Sequence, residues 1–310
     1  MSILKFIRGI VNNNIKSLII GGGSIGLRHL SVLKELGHEI AIVTRRKDLN
    51  YLSFEKSLDG LKIFKPNYIV VANDTDKHIK ELKNILISGY GNKIVVEKPI
   101  SNNFKDLDLL PHETKNVFVG YNLRYHPFIN FLKNLIIKEP ILSANIYVGQ
   151  YLPNWRANRD YKLSYSSSKK RGGGVLLELS HEFDYMSFLF GKCLENFAMS
   201  GKLSNLDIDC NDSVVGISKF DLCEQISYNF NLLDKIGRRE IIINTNDNTF
   251  KFDLMNSVII NNNETKKYSV TRNETYKDMH FDILNNNGKN ACTYYESTEI
   301  LNLINKIDPL

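Results

Sequence analysis

Three short stretches carry residues whose types and spacing suit chemistry. The first is Gly21-x-Gly23-x-x-Gly26, directly after the aliphatic run Leu18-Ile-Ile20. Three glycines in this spacing, between a strand and a helix, build a phosphate cradle. The first makes the tight turn, the second lets backbone approach a pyrophosphate, and the third lets helix and sheet pack closely. Free N–H groups at the helix N-terminus then face the anion. The second stretch is Thr44-Arg45-Arg46, at the end of the next aliphatic run. A dinucleotide without a 2′-phosphate usually meets a carboxylate here, which bonds the adenosine ribose. Two guanidiniums instead suit a 2′-phosphate, so NADP is favoured over NAD. The third is Glu178, His181, Glu182 and Asp184, crowded within an otherwise apolar segment. An imidazole titrates near neutrality and suits the movement of a hydroxyl proton. A histidine in an apolar helix is more often a core residue, but carboxylates this dense mark a site. Glu178 lies three residues before His181 and, on one continuous helix, shares its face. It would orient the imidazole or hold its charged form.

The elements that must position these groups follow from periodicity. Strands are expected at Lys16–Ile20, Glu39–Thr44, Tyr68–Ala72, Lys93–Val96 and Val117–Gly120, with helices at Leu27–Leu36 and Lys77–Ser88. Solid apolar runs separated by helices predict a parallel, doubly wound sheet. After Tyr121 the texture changes. Helices are expected at His126–Ile137, Gly174–Phe190, Thr271–Leu284 and Thr293–Ile307, and a strand at Ile141–Gln150. Alternating stretches at Val214–Phe220, Gln225–Asn231, Glu240–Asn244, Thr249–Leu254 and Ser257–Asn261 predict a large, open, mostly antiparallel sheet. The division expected is a Rossmann domain over 1–121 and a substrate-binding and oligomerisation domain over 122–310. The long polar segment from Tyr151 to Arg171 joins two such elements and holds the only tryptophan, Trp155. Long loops inside domains tend to be functional. Its aromatics and Arg156 suit a sugar face together with a carboxylate or phosphate.

The bulk numbers narrow the class. At 310 residues, 43% hydrophobic and 24% charged, the chain has material for two packed domains. Its net charge of +6 is scattered, which argues against a nucleic-acid stripe and leaves a field that favours anionic small molecules. The four cysteines, Cys193, Cys210, Cys223 and Cys292, form no C-x-x-C pair. Reduced thiols and a cytoplasmic location are therefore expected, with no metal. No run reaches transmembrane length. Met1 to Val11 reads as a short helix or extension and not as a signal peptide.

Five marks, in order, carry a family resemblance: Gly21 to Gly26; Ala72-Asn-Asp-Thr-Asp-Lys-His78; Glu97-Lys98-Pro99; Gly120-Tyr-Asn-Leu-Arg-Tyr-His-Pro127; and Gly172-Gly-Gly-Val-Leu-Leu-Glu-Leu-Ser-His-Glu-Phe-Asp184. Across essentially its whole length the chain resembles the Gfo/Idh/MocA oxidoreductases, the glucose-fructose oxidoreductase and inositol dehydrogenase group. The resemblance implies hydride transfer between a nicotinamide and a carbon of a sugar, polyol or nucleotide sugar, and homodimers or homotetramers packed through the open sheet. It implies that Lys98 is the active-site lysine, presented by Glu97 and Pro99 with a plausible cis bond, beside His181 as general acid/base with Glu178. Cofactor contacts are expected from Gly21, Gly23, Ser24, Ile25, Gly26, Thr44, Arg45, Arg46, Asn73, Asp74, His78, Glu97 and Lys98. Substrate contacts are expected from Tyr121, Asn122, Arg124, Trp155, Arg156, Tyr165 and His181. Most members place an aspartate four residues before the histidine; Glu178 three residues before His181 departs from that pattern and leaves the roles of Glu178 and Glu182 open. Asp184 would brace the helix. Loops like 151–171 accompany members linked to bacterial surface-sugar biosynthesis. The competing readings are a catalytically silent sugar or dinucleotide sensor, which would be expected to lack Lys98 or His181, and reduction of an unsaturated or tetrapyrrole compound.

Overall fold

The computed structural model describes residues 15–110, 114–156 and 160–310, so the reading of the first eleven residues lies outside it. The first half winds β1 (Lys16–Ile20), α1 (Ser24–Glu35), β2 (Glu39–Val43), β3 (Leu52–Phe54), α2 (Ser57–Phe64), β4 (Tyr68–Val71), α3 (His78–Ile87), β5 (Lys93–Val96) and β6 (Val117–Val119). These strands pair in parallel. Leu18, Ile19, Ile69, Val70, Val71, Ile94, Val95 and Val96 are fully buried, as strands covered on both faces must be, and this is why they are uninterrupted apolar runs. Periodicity did not reveal β3 or α2. The first has three residues, and the second contains Gly60, which reads as a breaker. A Cβ there would meet the Leu18 side chain at 3.0 Å, so the glycine lets α2 lie close on the sheet.

The second half contributes α4 (Pro127–Lys138), β7 (Ser143–Gly149), α5 (Val175–Glu178), α6 (Ser180–Phe190), β8 (Cys193–Gly201), β9 (Ser213–Phe220), β10 (Cys223–Asn231), β11 (Arg238–Asn244), β12 (Thr249–Asp253), β13 (Val258–Asn261), β14 (Glu264–Lys267), α7 (Glu274–Asn285), β15 (Cys292–Thr293) and α8 (Tyr294–Ile307). Eight strands form one sheet in the order β14-β13-β12-β11-β7-β10-β9-β8. It is antiparallel except for the β7/β10 pair at its centre. The covered face takes Val214, Phe220, Tyr228, Phe230, Ile241 and Phe252 into the core, and Phe183 of α6 meets Phe230 edge-on at 5.2 Å between ring centres. On the other face Phe197, Met199, Val215 and Ile217 are exposed.

Two features differ from the reading of the sequence. The helix expected over 174–190 is two helices, broken at Leu179 (φ −102°, ψ 29°). The late elements also do not all stay with the second sheet. β15 extends the first sheet antiparallel to β6, with Cys292 opposite Val119. α7 packs against α1 and buries Met279, His280 and Ile283. The first layer is therefore completed by residues from the far end of the chain.

Candidate active site

A cleft of about 1670 Å³ opens where the C-terminal ends of β1, β2 and β4 face the loop after β7 and the start of α6. Ligands of open α/β sheets bind at this position, beyond the carboxyl ends of the strands.

The glycine turn forms its floor. Gly21 has φ +121°, and a Cβ there would strike the Ala72 carbonyl at 2.4 Å. A Cβ on Gly26 would strike the Gly21 carbonyl at 2.1 Å, whereas one on Gly23 would meet nothing within 4 Å. Gly21 and Gly26 are thus small because the protein leaves no room. Gly23 is small although its own protein does leave room, as a backbone approached by a ligand would be. The N-terminus of α1 has no side-chain cap and no acidic residue in its first turn, so its N–H groups are available. Nearby, Asn73 Oδ1 is buried without a partner. A cradle shaped this way, with an orphaned acceptor beside it, fits a dinucleotide.

At the far end of the cradle, Thr44, Arg45 and Arg46 all line the cleft. Arg46 is held by a two-pronged contact to Asp48 (3.0 and 2.5 Å) and by the Gly22 carbonyl at 3.0 Å. Among the described residues Arg45 is in no ion pair. The sequence offered no carboxylate at the end of β2, but the loop after β3 brings Glu55 to the cleft wall. His78 ties two loops together, its ring nitrogens 2.9 Å from the Pro99 carbonyl and 3.2 Å from that of Asn73. Burial pushes its pKa below the ordinary value.

Glu97-Lys98-Pro99 leaves the end of β5, with a cis Lys98–Pro99 bond. Lys98 Nζ donates to the Glu178 carbonyl at 2.7 Å. Opposite it His181 opens α6 and lines the same cleft, its ring edge-on to Tyr121 at 5.6 Å. His181 Nδ1 is buried and unpartnered. Burial first, then the Lys98 and Arg239 charges, hold its pKa well below the usual imidazole range. These effects favour the neutral form of the ring, whose Nδ1 has no partner within the protein.

The break at Leu179 separates Glu178 from the role that its spacing suggested. No hydrogen bond joins it to His181. Its carboxylate faces Tyr165, whose hydroxyl pKa it raises, with burial adding to the effect. Glu182 is fully buried and pairs with Arg239 at 2.8 Å. Burial raises its pKa, against the pull of Arg239 and Lys98.

Trp155, Arg156 and Tyr165 line the cleft; Tyr121, Asn122 and Arg124 do not. Arg124 is 1% exposed. It grips Asp184 with two contacts from Nε, at 2.9 and 3.1 Å, and Glu296 from Nη1 at 2.9 Å. Asn122 is buried and donates to Thr275 Oγ1 at 2.6 Å. The tight turn after β6 carries these side chains under α6 and α7, where their polar groups need internal partners. They brace the cleft from behind.

The structure also adds residues that local reading missed. Arg28 lies one turn beyond Ser24 on α1, and that spacing could have flagged it. Arg171, Arg272 and Tyr276 reach the wall from distant segments. Among the described residues no group of His, Cys, Asp or Glu could hold a metal ion, and no helix is long and apolar enough to cross a membrane.

No protein-family profile matches the chain. A curated protein, an uncharacterized oxidoreductase of Synechocystis sp. (strain ATCC 27184 / PCC 6803 / Kazusa), is 22% identical over 197 residues, which is 57% of this chain and 52% of that protein. The chain thus spans about half the length of the curated relative it matches. Solved structures align throughout. An oxidoreductase from Thermotoga maritima has a TM-score of 0.78 at 19% identity, covering 95% of both chains. The WlbA dehydrogenase from Bordetella pertussis, in complex with NADH and UDP-GlcNAcA, scores 0.77 at 17% identity, covering 96% of this chain and 95% of its own. A levoglucosan dehydrogenase in complex with NADH scores 0.82 at 15% identity, covering 95% and 96%. Likeness at these identities is likeness of architecture: the chain shares its two-sheet fold with these solved oxidoreductases.

Proposed function

We propose that this chain is an NAD(P)-dependent oxidoreductase acting on a hydroxyl-bearing or carbonyl carbon of a sugar, polyol or nucleotide sugar. The observation that carries the reading is the convergence of the Lys98 ammonium and the neutral His181 imidazole on the cleft floored by the glycine cradle. A nicotinamide dinucleotide, when bound, accepts or supplies the hydride. His181 takes the hydroxyl proton in oxidation and returns it in reduction. Lys98, released from the Glu178 carbonyl, stabilises the alkoxide that forms or polarises the carbonyl. Tyr165, beside the Glu178 carboxylate, is the next polar group on the wall.

The proposed substrate class carries a negative charge. Arg28, Arg156, Arg171 and Arg272 line the cleft, and Trp155 offers an apolar face. The solved WlbA dehydrogenase, which holds UDP-GlcNAcA, supports a nucleotide sugar, and surface-glycan biosynthesis in a bacterial cytoplasm is a setting that suits it. For the cofactor, Asp48 engages Arg46, so Arg45 and Thr44 carry the case for NADP over NAD. The exposed apolar face of β8 and β9 supports self-association through the second sheet; a monomer in sedimentation at micromolar concentration would count against it.

The test is a panel of nucleotide sugars and free sugars, offered with NAD⁺ and NADP⁺ and followed by nicotinamide absorbance. Turnover of an anionic sugar is expected, with Lys98→Met lowering kcat by about 100- to 1000-fold at nearly unchanged dinucleotide affinity. Arg45→Asp should shift preference toward NAD. Tight dinucleotide binding with no turnover of any carbonyl or hydroxyl substrate would instead favour the sensor reading.

A further inference from the structure

Behind the cleft runs a line of buried polar groups that the proposed chemistry does not use. Tyr68, His29 and His280 have no exposed surface, and Glu97 is 6% exposed. Tyr68 Oη lies 2.8 Å from His280 Nδ1, His280 Nε2 lies 2.8 Å from His29 Nδ1, and His29 Nε2 lies 2.7 Å from Glu97 Oε1. The other carboxylate oxygen, Glu97 Oε2, accepts the backbone N–H of Lys98 at 3.2 Å. The four residues come from β4, α7, α1 and the end of β5, so nothing local accounts for their meeting.

Donor and acceptor counting gives the line a direction. The Glu97 carboxylate accepts the Lys98 N–H on one oxygen and faces His29 with the other, so His29 carries its proton on Nε2. A neutral His29 then has a bare Nδ1, which must receive the Nε2–H of His280. His280 in turn has a bare Nδ1, which receives the Tyr68 hydroxyl. Every group is satisfied and none is left over. An extra proton on His29 would reverse the two upper links and leave the fully buried Tyr68 hydroxyl hydrogen without an acceptor among the described residues, which is costly. Burial also lowers the pKa of His280 and raises that of the Tyr68 hydroxyl. The Tyr276 ring packs edge-on against His29 at 5.2 Å, and Gly120 closes the opposite side, where a Cβ would come within 2.8 Å of Glu97 Oε1.

We propose that Tyr68, His280 and His29 form a one-directional buried relay that fixes the Glu97 carboxylate, and through it the backbone of Lys98, so that His29 and His280 are positioning residues for the reacting lysine. The proposal rests on Lys98 being that lysine. It also links α1, whose N-terminus forms the phosphate cradle, to Lys98 through one side chain.

Two measurements test it. In ¹⁵N-histidine NMR of the wild-type protein, His29 and His280 should each show one bare nitrogen, Nδ1, and one protonated nitrogen, Nε2. The His29 Nδ1 resonance should move in His280→Leu. An imidazolium or an Nδ1–H tautomer at either residue at neutral pH overturns the relay, and this arm needs no substrate. In kinetics, His29→Leu should lower kcat by about 10- to 100-fold, with the KM for dinucleotide changed less than about threefold. His29→Gln, which keeps a donor toward Glu97, should recover most of that loss. A folded His29→Leu variant with kcat within about twofold of wild type overturns the positioning role. Absence of turnover in wild type with every substrate defeats the functional reading and leaves the NMR result to decide the relay.

Discussion

Arg124 shows how far a single side chain can be from what its type suggests. In sequence, an arginine just past the last parallel strand reads as a binder of anionic substrate. In the fold it is locked between Asp184 and Glu296, residues 60 and 172 positions away. Removing one partner of such a pair strands the other charge in a dry interior, which costs about 3–5 kcal/mol. Arg124→Met should therefore lower the urea midpoint markedly, while the double variant Arg124→Met/Asp184→Leu recovers much of the loss. A fold of unchanged stability with raised substrate KM would return Arg124 to the binding site. Gly23, Lys98 and His181, which sequence reading placed in the cleft, lie in short contiguous motifs that can be read without knowing their distant partners. Arg124 and Arg272 were misread or missed because their partners and exposure depend on segments far along the chain.

At the level of elements, the glycine turn separates two requirements that a motif merges. Gly26 is small because its helix crosses the Gly21 carbonyl, and Gly23 is small although nothing in the protein crowds it. Gly26→Ala should destabilise the folded protein, seen as a lowered melting temperature with or without dinucleotide. Gly23→Ala should melt as wild type without ligand but lose most of the stabilisation that added dinucleotide gives. Equal behaviour of the two variants would contradict this division. The same logic explains which elements were legible. Long parallel strands and amphipathic helices announced themselves through periodicity. β3, β14 and β15 did not, because two to four residues carry no period, and β8 did not because its large apolar residues Phe197 and Met199 are exposed while Asn196, Ala198 and Ser200 are less so. The break at Leu179 was also hidden. Helical spacing there is continuous in sequence, and only the structure shows Glu178 turned to Tyr165.

For the whole molecule, the buried histidines make stability depend on pH. Burial lowers His38 and His126 to about 4 and holds His181 and His280 well below the ordinary value. Unfolding returns each to about 6.5. The unfolded chain then binds more protons, so this contribution is present at neutral pH and is lost as pH falls below about 6.5 toward 4. Between pH 7 and 5 linkage assigns about 1–2 kcal/mol of loss to each of His38 and His126. Asp184, raised to about 6 by burial, opposes this by roughly 1 kcal/mol over the same range. Urea unfolding should show a lower midpoint at pH 5 than at pH 7, and His126→Asn, which keeps an acceptor for the Phe128 N–H, should narrow the gap. A midpoint at pH 5 equal to or above that at pH 7 would refute the assignment.

The return of α7 and β15 to the first sheet also bears on how this protein is made. A ribosome releases β1 to β6 early, yet the edge of β6 stays unpaired until Cys292 and Thr293 emerge, and His29 and Tyr68 lack their partner until His280 does. The first layer, though synthesised first, is finished almost last. Until then it presents a bare strand edge and a buried-polar gap, the features by which chaperones and proteases recognise an unfinished chain.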